Sequence, residues 1–404
     1  MKFQASVSHS LRAALAAAVC AGAALTAHAD TEWMILPKSA TTGLMLMHVS
    51  RDITGKSKIA PNLIYDARKQ FGGKYKFVRI CNSQYCIAGI NEKGLGVIFS
   101  GGDPTSDKNP AKSNQNFTPH NATVIMLRNY AAADQAVKRL HAEFRKKQIV
   151  GSAIYLIADP FRAFVVECSP AHFASWELTH AFCVYTHCWK LPGMDDGSVG
   201  TAERAQWNYQ REWAARDFLR QALEKNKHMI PITESVAVSR LAAKDTGKKT
   251  VLNGPCNPST YAAFTLELDP EYSEYLSCVY AAFGPPRHTI YLPIPFIAAD
   301  TLPKDLLNQQ AVEAAIKRNK AETAETAVDP ALVELQNKIL IDFNRARARA
   351  RNMLRSDKNE EAEKLLRETM KAQADEIAAF LKNLPQPESA KTPSDGGSAA
   401  QTAK

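Results

Sequence analysis

Beyond its first thirty positions the chain has no long apolar run, no Cys-x-x-Cys pair, no internal repeat and no dominant charge sign. A membrane-spanning helix needs roughly 20 consecutive apolar residues, so stable membrane insertion is not expected. A structural zinc site needs paired short spacings of Cys or His; none occurs here, and neither a metal nor a cofactor is expected. Lys and Arg total 50 against 41 Asp and Glu, a formal net charge of +9 that is spread along the sequence. That balance fits solubility or attraction to an acidic surface and does not favour nucleic acid as a partner.

What is present at the start is the pattern of an export signal. Lys2 and Arg12 flank the approach to the apolar "LAAAVCAGAAL", and "AHA" sets Ala27 and Ala29 where a signal peptidase needs small residues. Residues 1–29 are expected to be removed, giving an exported protein, periplasmic or secreted, that begins at Asp30. A lipid anchor at Cys20 fits less well, because Val19 occupies a position normally held by a small residue. About 375 residues then remain, enough for one large domain and an appendage at roughly 150 residues per domain.

Seven cysteines follow the leader: Cys81, Cys86, Cys168, Cys183, Cys188, Cys256 and Cys278. In an oxidising compartment Cys81 could bond to Cys86 and Cys183 to Cys188, but spacing does not fix connectivity, and an odd number leaves at least one thiol over.

From residue 30 to about 300 short apolar segments alternate with turns. "TTGLMLMHVS", "KFVRICNSQYCIAGI", "LGVIFSGG", "ATVIMLRN", "SAIYLIAD", "AFVVECS" and "AFCVYTHCW" read as strands, rich in β-branched and aromatic residues and closed by turn formers. "AAADQAVKRLHAEFRKKQ" and "TAERAQWNYQREWAARDFLRQALEK" carry helical periodicity. Strands in succession with helices inserted predict an α+β layered domain over 30–300.

Past about residue 301 the composition turns to Ala, Glu, Lys and Arg with helical spacing, predicting a helical extension over 301–384 packed on that domain. Asp329 and Pro330 form a cap and first-turn pair. Leu332, Leu335, Ile339 and Phe343, and later Leu365, Ile377, Phe380 and Leu381, make apolar stripes for the main domain or for a second copy in a homo-oligomer. The alternating arginines from Arg345 to Arg351 resemble a nucleic-acid patch, yet on a helix alternate residues turn by about 200° and split between faces, which favours a solvated helix. The tail from 385 to 404, rich in Ser, Pro, Gly and Lys, is expected to be disordered.

The segment "DTEWMILPKSATTGLMLMHVSRD" (30–52) resembles the start of the cysteine N-terminal-nucleophile hydrolases, above all the dipeptidase A group. "AGINEKGLGVIFSG" is similar to that group's Gly-(Ile/Met)-Asn-Glu-Lys-Gly strand turn and is the most specific match. "GSAIYLIADPFRAFVVE", with Asp159 and Glu167, and "STYAAFTLELDPEYSEYLSCVYAAFGPPRHTIYLPIPF" are looser matches. More distantly, choloylglycine hydrolase, penicillin V acylase and acyl-CoA:6-aminopenicillanic acid acyltransferase share the layout. The resemblance implies an αββα sandwich, hydrolysis or transfer at the C–N bond of a dipeptide or N-acyl amide, and no metal or cofactor.

In such enzymes the first residue of the mature chain attacks the carbonyl while its own α-amine takes the proton, and nearby groups hold the amine and the oxyanion. The resemblance places Asp30, Thr31, Asp52 and His187 at the catalytic positions and Asn91 and Arg204 at substrate-binding ones. Three departures follow. Asp30 stands where the nucleophilic Cys is expected, Val49 where an Arg should precede Asp52 by three residues, and His187 directly follows Thr186 where an Asn is expected between them. The nearest arginine to Asp52 is the adjacent Arg51.

Simpler structural readings stand beside these roles. Asn91, Glu92 and Gly94 suit any tight hairpin turn, Asp52 suits a capped strand end, His187 suits a core histidine beside Cys188 and Trp189, and Arg204 suits a helix surface. Loss of Asp30 would expose Thr31 as a threonine nucleophile, but a shift of one residue turns the side chain to the other face of its strand. The sequence thus supports an amide hydrolase whose nucleophile is lost, a non-catalytic protein binding peptides or N-acyl amides or acting as an envelope scaffold, or an amidase using Thr31.

Overall fold

The structure, a computed structural model, describes residues 30–52, 61–66, 73–82, 85–102, 117–194, 202–247, 253–302, 309–321 and 328–384. The expected leader and tail lie outside the described residues.

Two antiparallel sheets face each other. One is a six-stranded sheet of β1 (Thr31–Ile35), β2 (Met45–Asp52), β10 (Phe182–Tyr185), β11 (Thr260–Leu268), β12 (Cys278–Ala282) and β13 (Leu292–Pro295), in the spatial order β10-β1-β2-β11-β12-β13. The other is a seven-stranded meander of β3 (Pro61–Asp66), β4 (Phe77–Asn82), β5 (Tyr85–Asn91), β6 (Gly96–Gly101), β7 (Ala153–Ala158), β8 (Ala163–Cys168) and β9 (Phe173–Glu177), paired in sequence order. Their faces come close enough that a Cβ on Gly96 would lie 2.7 Å from Met47 Sδ.

Helices cover the outer faces, which gives four layers. On the meander lie α1 (Pro119–Asn129) and α2 (Ala133–Arg145). On the six-stranded sheet lie α3 (Ala202–Lys225), α4 (Ile232–Val238), α7 (Pro330–Arg355) and α8 (Asn359–Asn383), with the short α5 (Ser273–Leu276) and α6 (Gln309–Ala321) at its margin. This is an α+β fold, an αββα sandwich with C-terminal helices, as the sequence implies.

Strand alternation sorts the side chains of the six-stranded sheet. Met34, Met47, Val49 and Phe264 point into the core between the sheets. Trp33, Ile35, Leu46 and Ala263 point to the helical layer, where Leu219, Leu340 and Phe343 cover them. Burying each such large side chain stabilises by about 1.5–3 kcal/mol, so both faces of this sheet need their covers.

Two of the strand expectations are corrected. "ATVIMLRN" is the body of α1, not a strand. Thr118 caps the helix by accepting from the Asn121 amide at 3.3 Å, Pro119 opens it, and its buried residues Ala122, Thr123, Met126 and Leu127 recur at helical spacing. "KFVRICNSQYCIAGI" is not one strand but the hairpin β4–β5, in which Cys81 stands opposite Cys86.

Helix α7 opens with Asp329 accepting from the Ala331 amide at 2.9 Å, as the cap reading requires. The arginine run that follows is more than a solvated face. Arg347 is buried and closes on Glu267 near the end of β11, and Tyr280 donates to the same carboxylate at 2.7 Å. Arg351 reaches Asp269 and, at 3.1 Å, Glu271, and Arg355 reaches Glu271 at 3.0 Å. Two extended residues advance the chain about 6.7 Å and four helical residues about 6 Å, so acids at every second position meet arginines at every fourth. Arg345, exposed, pairs within its own helix with Asp342.

Candidate functional site

The site lies at the head of β1, beside the edge strand β10 of the six-stranded sheet. Asp30 is buried, 1 % exposed, and its Oδ1 accepts from the Asp52 amide at 3.0 Å while Arg51 donates to its Oδ2. Arg51 also donates to the Phe99 carbonyl on β6 at 3.3 Å, which puts the guanidinium between the two sheets. Burial pushes the Asp30 carboxyl above its usual range, and the Arg51 charge, the Asp52 amide and Arg211 offset part of that. Burial, the largest single influence, pulls Arg51 down, but the Asp30 charge with lesser help from Tyr261 and Glu32 more than offsets it, so the guanidinium stays protonated.

Asp52 belongs to the opposite face of its strand and looks toward the helical layer. Its Oδ2 accepts from Arg211 of α3 at 2.9 Å and from Asn257 at 2.6 Å, and its Oδ1 accepts from the Thr260 hydroxyl at 2.6 Å. Arg211 in turn donates to Asn208 Oδ1 at 2.5 Å, and the Asn208 carbonyl accepts from Thr186 at 3.1 Å. Burial still outweighs these partners and raises the Asp52 carboxyl to about 6. Two acid–arginine pairs therefore sit back to back across one sheet, Asp30–Arg51 inside the sandwich and Asp52–Arg211 under the helices.

Beside them, Glu32 is fully buried on the same face as Asp30. Burial, then the Asp30 charge, raises its carboxyl well above the usual range. His187, at the end of the chain leaving β10, brings Nε2 within 3.8 Å of Asp30 Oδ2 and is buried.

Of the residues expected at the site, the structure brings together Asp30, Asp52 and His187. Thr31 is adjacent in sequence but on the other face, with Trp33 and Ile35, and its buried hydroxyl oxygen has no hydrogen-bond partner among the described residues. Asn91 is not brought to the site. Its side-chain amide donates to the Leu127 and Tyr130 carbonyls at 2.8 and 2.7 Å, and its carbonyl accepts from the Lys93 and Leu95 amides, so the side chain is spent on closing the β5–β6 turn and holding α1. Arg204 falls on the first turn of α3, with its side chain outside the described residues.

Sequence reasoning missed Arg211, Asn257, Thr260 and Glu32. Arg211 lies two helical turns beyond Arg204, and nothing local to "NYQREW" marks it as the partner of an aspartate 159 residues away. Arg51 was visible only as a displaced arginine; its position on the interior face of β2 makes it the counter-ion of Asp30.

On the helical side a second polar group is buried against α4. His48 bridges Thr265 Oγ1, 2.7 Å from Nδ1, and Ser50 Oγ, 3.1 Å from Nε2, and its ring stacks on Trp33 with centroids 3.7 Å apart. Trp33 donates to Ser235 at 3.0 Å. Burial drives His48 well below its usual range, so it is a neutral bridge. Among the described residues no group of three or more His, Cys, Asp or Glu could hold a metal ion.

Chemically, the Asp30 carboxylate is neutralised by Arg51 and held by an amide N–H. Attack by a carboxylate on an amide would also give a mixed anhydride hardly easier to reach than the amide is to break. The arrangement groups two ion-paired carboxylates, a third buried acid, Glu32, and hydrogen-bond donors around the head of β1.

Fold and site define an αββα sandwich whose first strand opens on an ion-paired carboxylate. No family model matches the chain, and no curated protein matches it. Among solved structures it is similar to penicillin V acylase from Agrobacterium tumefaciens, at 13% identity and a TM-score of 0.41 over 66% of this chain and 86% of that one. It is also similar to a variant of conjugated bile acid hydrolase from Clostridium perfringens, at 12% identity and 0.42 over 65% and 92%. A third is the Caenorhabditis elegans N-acylethanolamine-hydrolyzing acid amidase orthologue, at 10% identity and 0.40 over 58% and 92%.

Proposed function

We propose that this is an exported protein on the N-terminal-nucleophile hydrolase fold, nearest in motif to the dipeptidase A group, that binds a small peptide or N-acyl amide without cleaving it. The observation that carries the reading is the Asp30–Arg51 pair: the carboxylate at the strand head is buried, charge-paired and bonded to the Asp52 amide. Thr31, the one hydroxyl that loss of Asp30 would expose, faces the helical layer with Trp33 rather than Arg51, Glu32 and His187. The amidase reading through Thr31 therefore has less support than binding.

The test is a panel of dipeptides and N-acyl amino acids presented to the exported protein, with products followed by mass spectrometry and binding by calorimetry. Saturable binding with no product supports the proposal. Turnover, or no binding across the panel, overturns it.

A second reading, self-association through the C-terminal helices, is favoured by Val333 and Ile341, which stand exposed about two turns apart on α7. Sedimentation of Ile341→Glu against the parent tests it: a shift from dimer to monomer supports it, and a parent that is already monomeric ends it.

A further inference from the structure

Outside the Asp30 cluster, the hairpin β4–β5 brings two sulfurs to one place. Cys81 and Cys86 are direct partners across the ladder, at a register shift that follows Ile80, and both are buried in the main core, at 0 % and 1 % exposure. Residues directly opposite in an antiparallel pair have Cα atoms about 4.5–5.5 Å apart and side chains on the same face. That interval falls inside the roughly 4.4–6.8 Å over which a disulfide closes without moving the backbone. By contrast, Cys183 lies on β10 opposite Met34, and Cys188 lies beyond the strand end.

We propose that Cys81 and Cys86 close a disulfide across this hairpin when the chain folds in an oxidising medium. The pairing is local, five residues apart in sequence, so the hairpin can form before the core covers it. The two thiols give up two protons and two electrons to a small-molecule disulfide such as oxidised glutathione. One sulfur–sulfur bond forms in the protein, and the reagent's bond breaks to yield two thiols.

The bond would fix the segment that supports α1. His120 on α1, held neutral mainly by burial, donates from Nδ1 to the Cys86 carbonyl at 2.8 Å, and its ring meets Phe99 edge-on at 5.0 Å between centroids. Phe99 offers its carbonyl to Arg51. The staple thus lies three contacts from the Asp30 ion pair, through His120 and Phe99. The proposal does not depend on what the site binds.

The experiment is to refold the full chain with oxidised glutathione, block remaining thiols with an alkylating reagent under denaturing conditions, and map the peptides by mass spectrometry before and after reduction. The expected result is a peptide set in which Cys81 and Cys86 escape alkylation until reduced and are lighter together by about two mass units, the two lost hydrogens. In Cys81→Ser the expected result is an alkylated Cys86, and in Cys86→Ser an alkylated Cys81. Alkylation of both residues in the unreduced parent overturns the proposal, as does a link from either one to any other cysteine.

Discussion

Arg51 closes on Asp30 from the neighbouring strand, and both are buried between the sheets. A charge pair in that position is poor evidence of stability by itself, because desolvation can cancel the attraction, but removing one partner strands the other in a dry interior. Asp30→Asn and Arg51→Ala should each destabilise by about 3–5 kcal/mol. The double variant should lose clearly less than the sum. Urea unfolding of the four proteins measures this, and additive losses would show that the pair is not coupled.

Asp52 makes stability depend on pH. Its folded value of about 6 exceeds the ordinary 3.8, so between those pH values the folded chain keeps a proton that the unfolded chain has released. This contribution is fully present below the unfolded value and is lost as pH rises through 6, amounting to about 3 kcal/mol for a shift near two units. Asp30 and Glu32, also raised, act in the same direction. The urea midpoint of the parent should fall from pH 4 to pH 7 more steeply than that of Asp52→Asn. Parallel profiles for the two proteins would remove Asp52 from the account.

Helix α7 is fastened to the six-stranded sheet by Arg347, and Arg345 two residues away is not part of that contact. Arg347→Ala should cost about 3–5 kcal/mol, because it leaves Glu267 buried without its cation, while Arg345→Ala should stay within about 0.5 kcal/mol. Thermal unfolding separates the two. Deleting residues 302–384 should leave a chain that does not fold, since Leu340 and Phe343 cover the same sheet face as Trp33 and Leu46; a folded truncated domain would show instead that the extension is an appendage.

These particulars also show what the sequence made legible. Alternating β-branched segments announced most of the strands, and Asp329–Pro330 announced the start of α7, because both signals are local. "ATVIMLRN" misled because its Thr, Val and Ile favour strands, while Thr118 and Pro119 just upstream had already started a helix. The arginine run was read as divided between faces; that division is real, but which face meets acids depends on Glu267 and Asp269, roughly 80 residues earlier. At the site, Asp30 and Asp52 were found from motif position. Arg211, Asn257 and Thr260 were not, because a pairing across more than 150 residues leaves no local trace.

Thr31→Val replaces a buried hydroxyl that has no partner among the described residues with a methyl of similar shape. Desolvating an unpaired hydroxyl costs free energy that this change recovers, so the variant should be as stable as the parent or more stable by up to about 1 kcal/mol. Differential scanning calorimetry checks it. A clear loss of stability would mean the hydroxyl is matched in the folded protein after all.

The most direct test of the central claim is amide hydrolysis by the exported chain after its N-terminal residue has been established by intact mass and sequencing. The account predicts a chain that begins at Asp30, binds peptides or N-acyl amides, and releases no product. Product formation that disappears in Thr31→Ala, from a chain that begins at Thr31, would contradict it and make the protein a working amidase.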